Sequence, residues 1–181
     1  MNESLDNLAA AVRAAYRADE LRRLDRETVL RAGIEPLDAE FLCTVGVPIV
    51  EELEISFNLA GQLPTLQDYL KGKPLSSYAW PGHLVCLNEK DDWFFAIDRE
   101  RDGCVISFEL GDDAEAFINS KLRYMVVFLA ECRLHWMRYQ DKDTPKGESF
   151  RIAEEWMRKV DERGFNGGWW QAVLEDMKTY G

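Results

Sequence analysis

The spacing of apolar residues changes period twice along this chain, and no other feature restricts its fold as much. Leu5, Leu8, Val12, Ala15 and Tyr16 recur at helical intervals, so an amphipathic helix opens the sequence. After Gly33 and Pro36, a shorter helix covers Leu37 to Val45 and is stopped by Gly46 and Pro48. The period then drops to two. Leu53, Ile55 and Phe57 alternate with Glu52, Glu54 and Ser56, which reads as a strand with one buried face. Residues 61–74 are loop-like, apart from a turn of helix near Leu66 to Leu70. His83 to Leu87, Trp93 to Ile97 and Cys104 to Phe108 follow as a meander of short strands joined by charged turns.

Beyond Asn119 and Ser120 the helical period returns. Leu122, Met125, Val126, Leu129 and Trp136 form one stripe, and Val127, Ala130, Leu134 and Met137 form another, so this long helix is expected to pack on two sides. Asn119 or Ser120 would cap it, since either side chain can accept a hydrogen bond from an N–H of the first turn. A further helix carries Phe150, Ala153, Met157 and Val160. After Gly164, Gly167 and Gly168, a last one carries Trp170, Val173, Leu174 and Met177. Strands segregated from helices imply an α+β fold with a central, mainly antiparallel sheet of about 4–6 strands flanked by helices. The length fits one domain over residues 1–181, with residues 1–28 as an N-terminal helical extension.

Charge narrows the partners. Asp and Glu number 33 against 22 Lys and Arg, a formal net charge of −11. Nucleic-acid binders show a basic footprint and anionic membrane surfaces attract basic segments, so neither partner is expected. The longest uncharged stretch, Pro74 to Asn88, contains Pro81, Gly82 and His83 and is too short to span a bilayer. The first residues, Met1-Asn2-Glu3-Ser4-Leu5-Asp6, are acidic where a secretion signal would be basic. Cys43, Cys86, Cys104 and Cys132 form no CxxC pair and lie mostly in apolar runs, which fits free thiols in a reducing compartment. The expected location is the cytoplasm.

Few residues offer chemistry. Asp98, Glu100, Asp102 and Glu109 stand at positions 1, 3, 5 and 12 of a segment with Gly103 at position 6, the ligand pattern of an EF-hand calcium loop. The flanks read as strands rather than helices, so a charged hairpin turn with Gly103 at positive φ is the preferred reading. His135 follows Glu131 and Cys132 by one helical turn, but nothing completes a zinc site. His83 and Cys86, three apart in a strand, point to opposite faces. No nucleophile elbow, P-loop or dinucleotide fingerprint is present. The expectation is therefore no enzyme, no cofactor and no metal. A hydrolase using turn carboxylates would be the catalytic alternative. The acidic turns, with Asp91, Asp92, Asp98, Glu100, Asp102, Asp112, Asp113 and Glu115, read either as solvated loops or as a patch for a basic protein partner.

Several segments together resemble the fourth family of the SUKH superfamily of bacterial immunity proteins. Phe41-Leu42-Cys43-Thr44-Val45-Gly46-Val47-Pro48 is similar to that family's FLxxVGLP segment. Val85-Cys86-Leu87 with its charged turn, Asp102-Gly103 and Val105 resemble the central strands. Phe117-Ile118-Asn119-Ser120-Lys121-Leu122 resembles the signature opening the long helix, with Lys121 where a second serine is expected. The Trp169 to Glu175 segment is similar to a closing segment, and the resemblance covers roughly residues 29–180. It implies an α+β antidote that binds a cognate polymorphic toxin, often a nuclease or deaminase, without catalytic residues. Asn119 and Ser120 would be structural. A ligand-binding or regulatory scaffold of the same fold, with no toxin partner, is the alternative.

Overall fold

Phe94, Phe95, Ala96 and Ile97 are successive buried residues of one strand, a run that a sheet with one wet face could not carry. Both faces of the sheet are covered. The computed structural model describes residues 3–51, 53, 55, 57, 62–71, 82–90, 93–109, 115–140 and 145–180. In it β3 (Leu84–Lys90), β4 (Trp93–Asp98), β5 (Cys104–Glu109) and β6 (Glu115–Asn119) pair in sequence order, every pair antiparallel. Val85, Leu87, Phe95, Ile97, Val105 and Ile118 join the main core, while Leu84, Cys86, Phe94, Ala96, Cys104, Ile106 and Phe108 build a smaller one on the other face. Leu66 and Leu70, from α4 (Leu66–Tyr69) and its end, close that second layer, where Phe94 stacks on Phe108.

The main core is organised by α5 (Leu122–Gln140), whose residues from Leu122 to Cys132 are all buried, Arg123 and Glu131 included. The two apolar stripes expected of it are therefore both used, although Trp136 and Met137 at its far end are exposed. α6 (Lys146–Val160) packs along it, and α7 (Glu162–Asn166) and α8 (Trp169–Tyr180) complete that side. On another side lies α1 (Leu5–Ala15), capped by Ser4 and burying Leu8 and Val12 against α5. Leu8, Ala9, Val12 and Ala15 of α1 belong to the main core. Amphipathicity announces a helix with one apolar face and does not say what that face covers.

α2 (Arg26–Arg31) and α3 (Pro36–Thr44) connect α1 to the sheet, with a two-residue ribbon between β1 (Leu21–Arg22) and β2 (Val47–Pro48). Gly46 makes that ribbon possible. It sits at φ +96°, and a Cβ there would lie 2.4 Å from the Arg22 carbonyl oxygen. The strand expected over residues 52–57 is only partly described. Ile55 and Phe57 are buried in the main core, Leu53 turns at φ +51°, and Glu52, Glu54 and Ser56 lie outside the described residues. No helix among the described residues is long and apolar enough to cross a membrane.

Candidate functional site

The hairpin between β4 and β5 carries the densest run of charge in the chain, Asp98-Arg99-Glu100-Arg101-Asp102, and its backbone turns through Asp102 at φ +59° and Gly103 at φ +70°. Gly103 N–H closes the turn on the Asp98 carbonyl at 2.9 Å. Left-handed conformations at consecutive positions favour glycine and aspartate there, which the sequence supplies. The hairpin expected from the sequence is present.

Asp98 is buried, and its carboxylate accepts hydrogen bonds from the Glu100 N–H at 2.9 Å, the Arg101 N–H at 3.1 Å and the Arg101 guanidinium. Burial pushes this carboxyl up, but the Arg101 guanidinium and the two N–H groups outweigh it and hold it below the usual carboxylate range. The other arm of Arg101 grips Glu115, with Nη2 2.6 Å from Oε2. Lys121 Nζ lies 3.0 Å from the Asp102 carboxylate and also bonds its carbonyl. His83 stands 3.6 Å from Asp98 and 3.5 Å from Glu100.

Of the expected acids that are described, Asp98 and Glu115 are paired with Arg101 and Asp102 with Lys121. Glu115, opposite Phe108 on β6, meets Asp98 on the single guanidinium of Arg101, which holds both carboxylates. Asp91, Asp92, Asp112 and Asp113 lie outside the described residues. Of the four expected acids that are described, Glu100 and Asp102 present the most open carboxylates, with side chains 72% and 93% exposed. The calcium-loop pattern is also taken apart. Glu109 faces Trp93 at the far end of β5, and Arg101 occupies the Asp98 carboxylate. A calcium loop would need both oxygens on one ion.

Asn119 and Ser120 do different work from the cap expected of them. Asp38 of α3 receives the Leu122 and Arg123 N–H groups, each at 3.1 Å, and so caps α5 from outside the local sequence. Arg123 folds back onto the same carboxylate at 2.8 Å and onto Glu35. Asn119, Ser120 and Gly164 instead converge on Asp161, between α6 and α7. Its oxygens accept the Ser120 N–H at 2.7 Å, the Ser120 hydroxyl at 2.8 Å, the Asn119 amide at 3.2 Å and the Gly164 N–H at 3.1 Å. The Asn119 carbonyl accepts the Trp170 indole N–H at 2.9 Å. Gly164 has to be glycine here, because a Cβ would lie 2.5 Å from the Asp161 carboxylate and 2.7 Å from the Asn119 amide. This buried junction locks β6, α5, α7 and α8 together. A sequence reading had no route to Asp38 or Asp161, which sit 84 and 41 residues from the groups they bind.

His135, Glu131 and Cys132 do not converge on a ligand site. Glu131 pairs with Arg138, while His135 Nδ1 lies 2.8 Å from the Ser149 hydroxyl, whose proton goes to the His135 carbonyl. No group of ligating side chains able to hold a metal ion occurs among the described residues. Burial lowers the His135 pKa. Its folded value then lies below the unfolded value of about 6.5, so the folded state binds fewer protons and the contribution is complete above that pH. Stability should fall as pH drops below it. Urea midpoints of the wild type and His135→Gln, taken from pH 7.5 to 5.5 (about one unit either side of the free histidine value), should show the steeper decline in the wild type. Parallel pH profiles would remove His135 as the cause.

A model of the SUKH-4 immunity protein family matches residues 7–176. That span begins within α1 and ends within α8, so it takes in the sheet, the Asp38 cap and the Asp161 junction. No curated protein and no solved structure matches the chain.

Proposed function

The chain belongs to the SUKH-4 immunity protein family, and we propose that it binds and neutralises a cognate polymorphic toxin in the cytoplasm, by contact and without catalysis. The observation that carries this is the family match across nearly all of the described fold. The polar clusters support it. The buried ones are spent on holding helices and strands together, and the hairpin they pin carries open carboxylates. A toxin acting on nucleic acid needs a basic cleft for its polyanionic substrate. Glu100 and Asp102, projecting from a turn pinned by Asp98 and Gly103, are suited to meet such a cleft. Asp91, Asp92, Asp112, Asp113 and Glu115 are proposed as further contributors to the same field. The net charge of −11 would steer a basic partner inward and speed association more than it deepens affinity.

The test is binding to the cognate toxin domain. Stopped-flow association at low and physiological salt should be slowed about tenfold in Glu100→Lys/Asp102→Lys, with a weaker salt dependence. Reversal of Asp112 and Asp113 should act in the same direction. Wild-type rates and salt slopes in both variants would remove these acids from the encounter surface.

A further inference from the structure

Many cations of this chain, whose net charge is −11, pair with carboxylates among the described residues. Arg31 meets Glu27, Arg151 meets Glu155, Arg158 meets Glu154 and Lys159 meets Glu3. Arg13 and Arg23, like Arg22, Arg26 and Arg163, have no carboxylate partner among the described residues, and these two line the same cleft of about 790 Å³. Arg17 lines it too, its side chain 76% exposed and its Nε 3.3 Å from Asp19 and 3.8 Å from Glu20. Tyr16, Leu21 and Val45 line it as well, and no acidic side chain does. Three elements fix this geometry: the end of α1, β1, and the C-terminal end of α3, held close by Gly46.

We propose that this arginine-rimmed cleft is a binding site for an extended acidic segment of a partner protein, its carboxylates taken by Arg13, Arg17 and Arg23 and an apolar side chain laid against the half-buried Leu21. Guanidinium groups match carboxylates in geometry and charge. The cleft is far roomier than one inorganic anion needs and lies within the roughly 300–1,000 Å³ of ordinary ligand sites. A nucleic-acid strand fits less well. The net charge repels it, and the one ring in the cleft, Tyr16, is 3% exposed and already covered by Arg133, so no base can stack there. The site is of opposite sign to the β4–β5 hairpin and does not depend on it, so the protein would present an anionic surface and a cationic cleft to its surroundings.

The isolated protein suffices for the test. Amide spectra would be recorded while titrating the capped peptide acetyl-Glu-Leu-Glu-Leu-Glu-amide. Saturable shifts are expected at residues 13–23 and at Val45, with a Kd near about 1 mM or tighter. The same peptide with Gln for Glu should not bind. Arg13→Gln/Arg23→Gln, which alters only exposed side chains, should keep the spectrum of the fold and weaken binding about tenfold, while Arg151→Gln should leave it unchanged. The proposal fails if the wild type shows no saturable shifts, if the double variant binds as well, or if a single-stranded oligodeoxynucleotide moves the same amides at lower concentration. None of these outcomes depends on the toxin.

Discussion

Replacing Asp38 with alanine should lower the unfolding free energy by about 4 kcal/mol, the largest loss expected from any single carboxylate in this chain. Asp38 is 1% exposed and serves several donors at once. Two are the first N–H groups of α5, the helix around which the main core is built. The third is the Arg123 guanidinium, itself buried. Removing the carboxylate leaves those N–H groups without an acceptor, a cap loss of about 1 kcal/mol, and strands a buried cation with only Glu35 to meet it. Burial pushes the Asp38 carboxyl up while Arg123 draws it down, so the pair stands or falls together. Asp38→Asn keeps an acceptor oxygen and should lose less. Urea denaturation of both variants would decide it. A loss below about 1 kcal/mol for the alanine variant would mean that α5 finds its cap elsewhere.

Trp170→Ala should cost about as much, near 4 kcal/mol, by a different route. Trp170 is wholly buried, lies edge-on to Phe128 and Trp169, and donates its indole N–H to Asn119. Alanine would leave a cavity beneath α5 and an Asn119 carbonyl with no donor. Trp170→Phe keeps most of the ring volume and loses the hydrogen bond, so it should fall between, losing about 1–2 kcal/mol. Equal losses in the two variants would show that the hydrogen bond, rather than the filled volume, dominates. Against a total of about 5–15 kcal/mol for a domain, either alanine substitution removes a large share of the stability.

The parts of the fold that were legible in the sequence are those with a long, clean period. α1, α3, α5, α6 and α8 carry apolar residues at helical intervals, and β3, β4 and β5 are apolar runs set off by charged turns. What escaped is short or shaped by distant contacts. α7 spans Glu162–Asn166 around Gly164, a poor helix former kept because the Asp161 carboxylate leaves no room for a side chain. β6 reads Glu115-Ala116-Phe117-Ile118-Asn119, with no alternation, and buries its polar last residue in the Asp161 junction. α2 did carry a local signal, Asp25 accepting from Thr28 at its start, but at six residues it offers too little period to see.

The charged turns show the same limit. Sequence neighbours suggested a run of acidic turns, and the fold brings Glu115 to Asp98 through Arg101, which contacts Glu115 across 14 residues of chain. Arg101 and Lys121, both visible as residues, neutralise part of it through contacts that only the fold makes. The cationic cleft was hidden for the converse reason, since Arg13, Arg17 and Arg23 come together only once α1 has turned into β1.

Growth rescue tests the central claim most directly. Cells expressing the cognate toxin domain should die alone and grow when this chain is expressed with it, with the two proteins recovered as one complex. Continued death with both proteins abundant and folded would contradict neutralisation of that toxin by this chain.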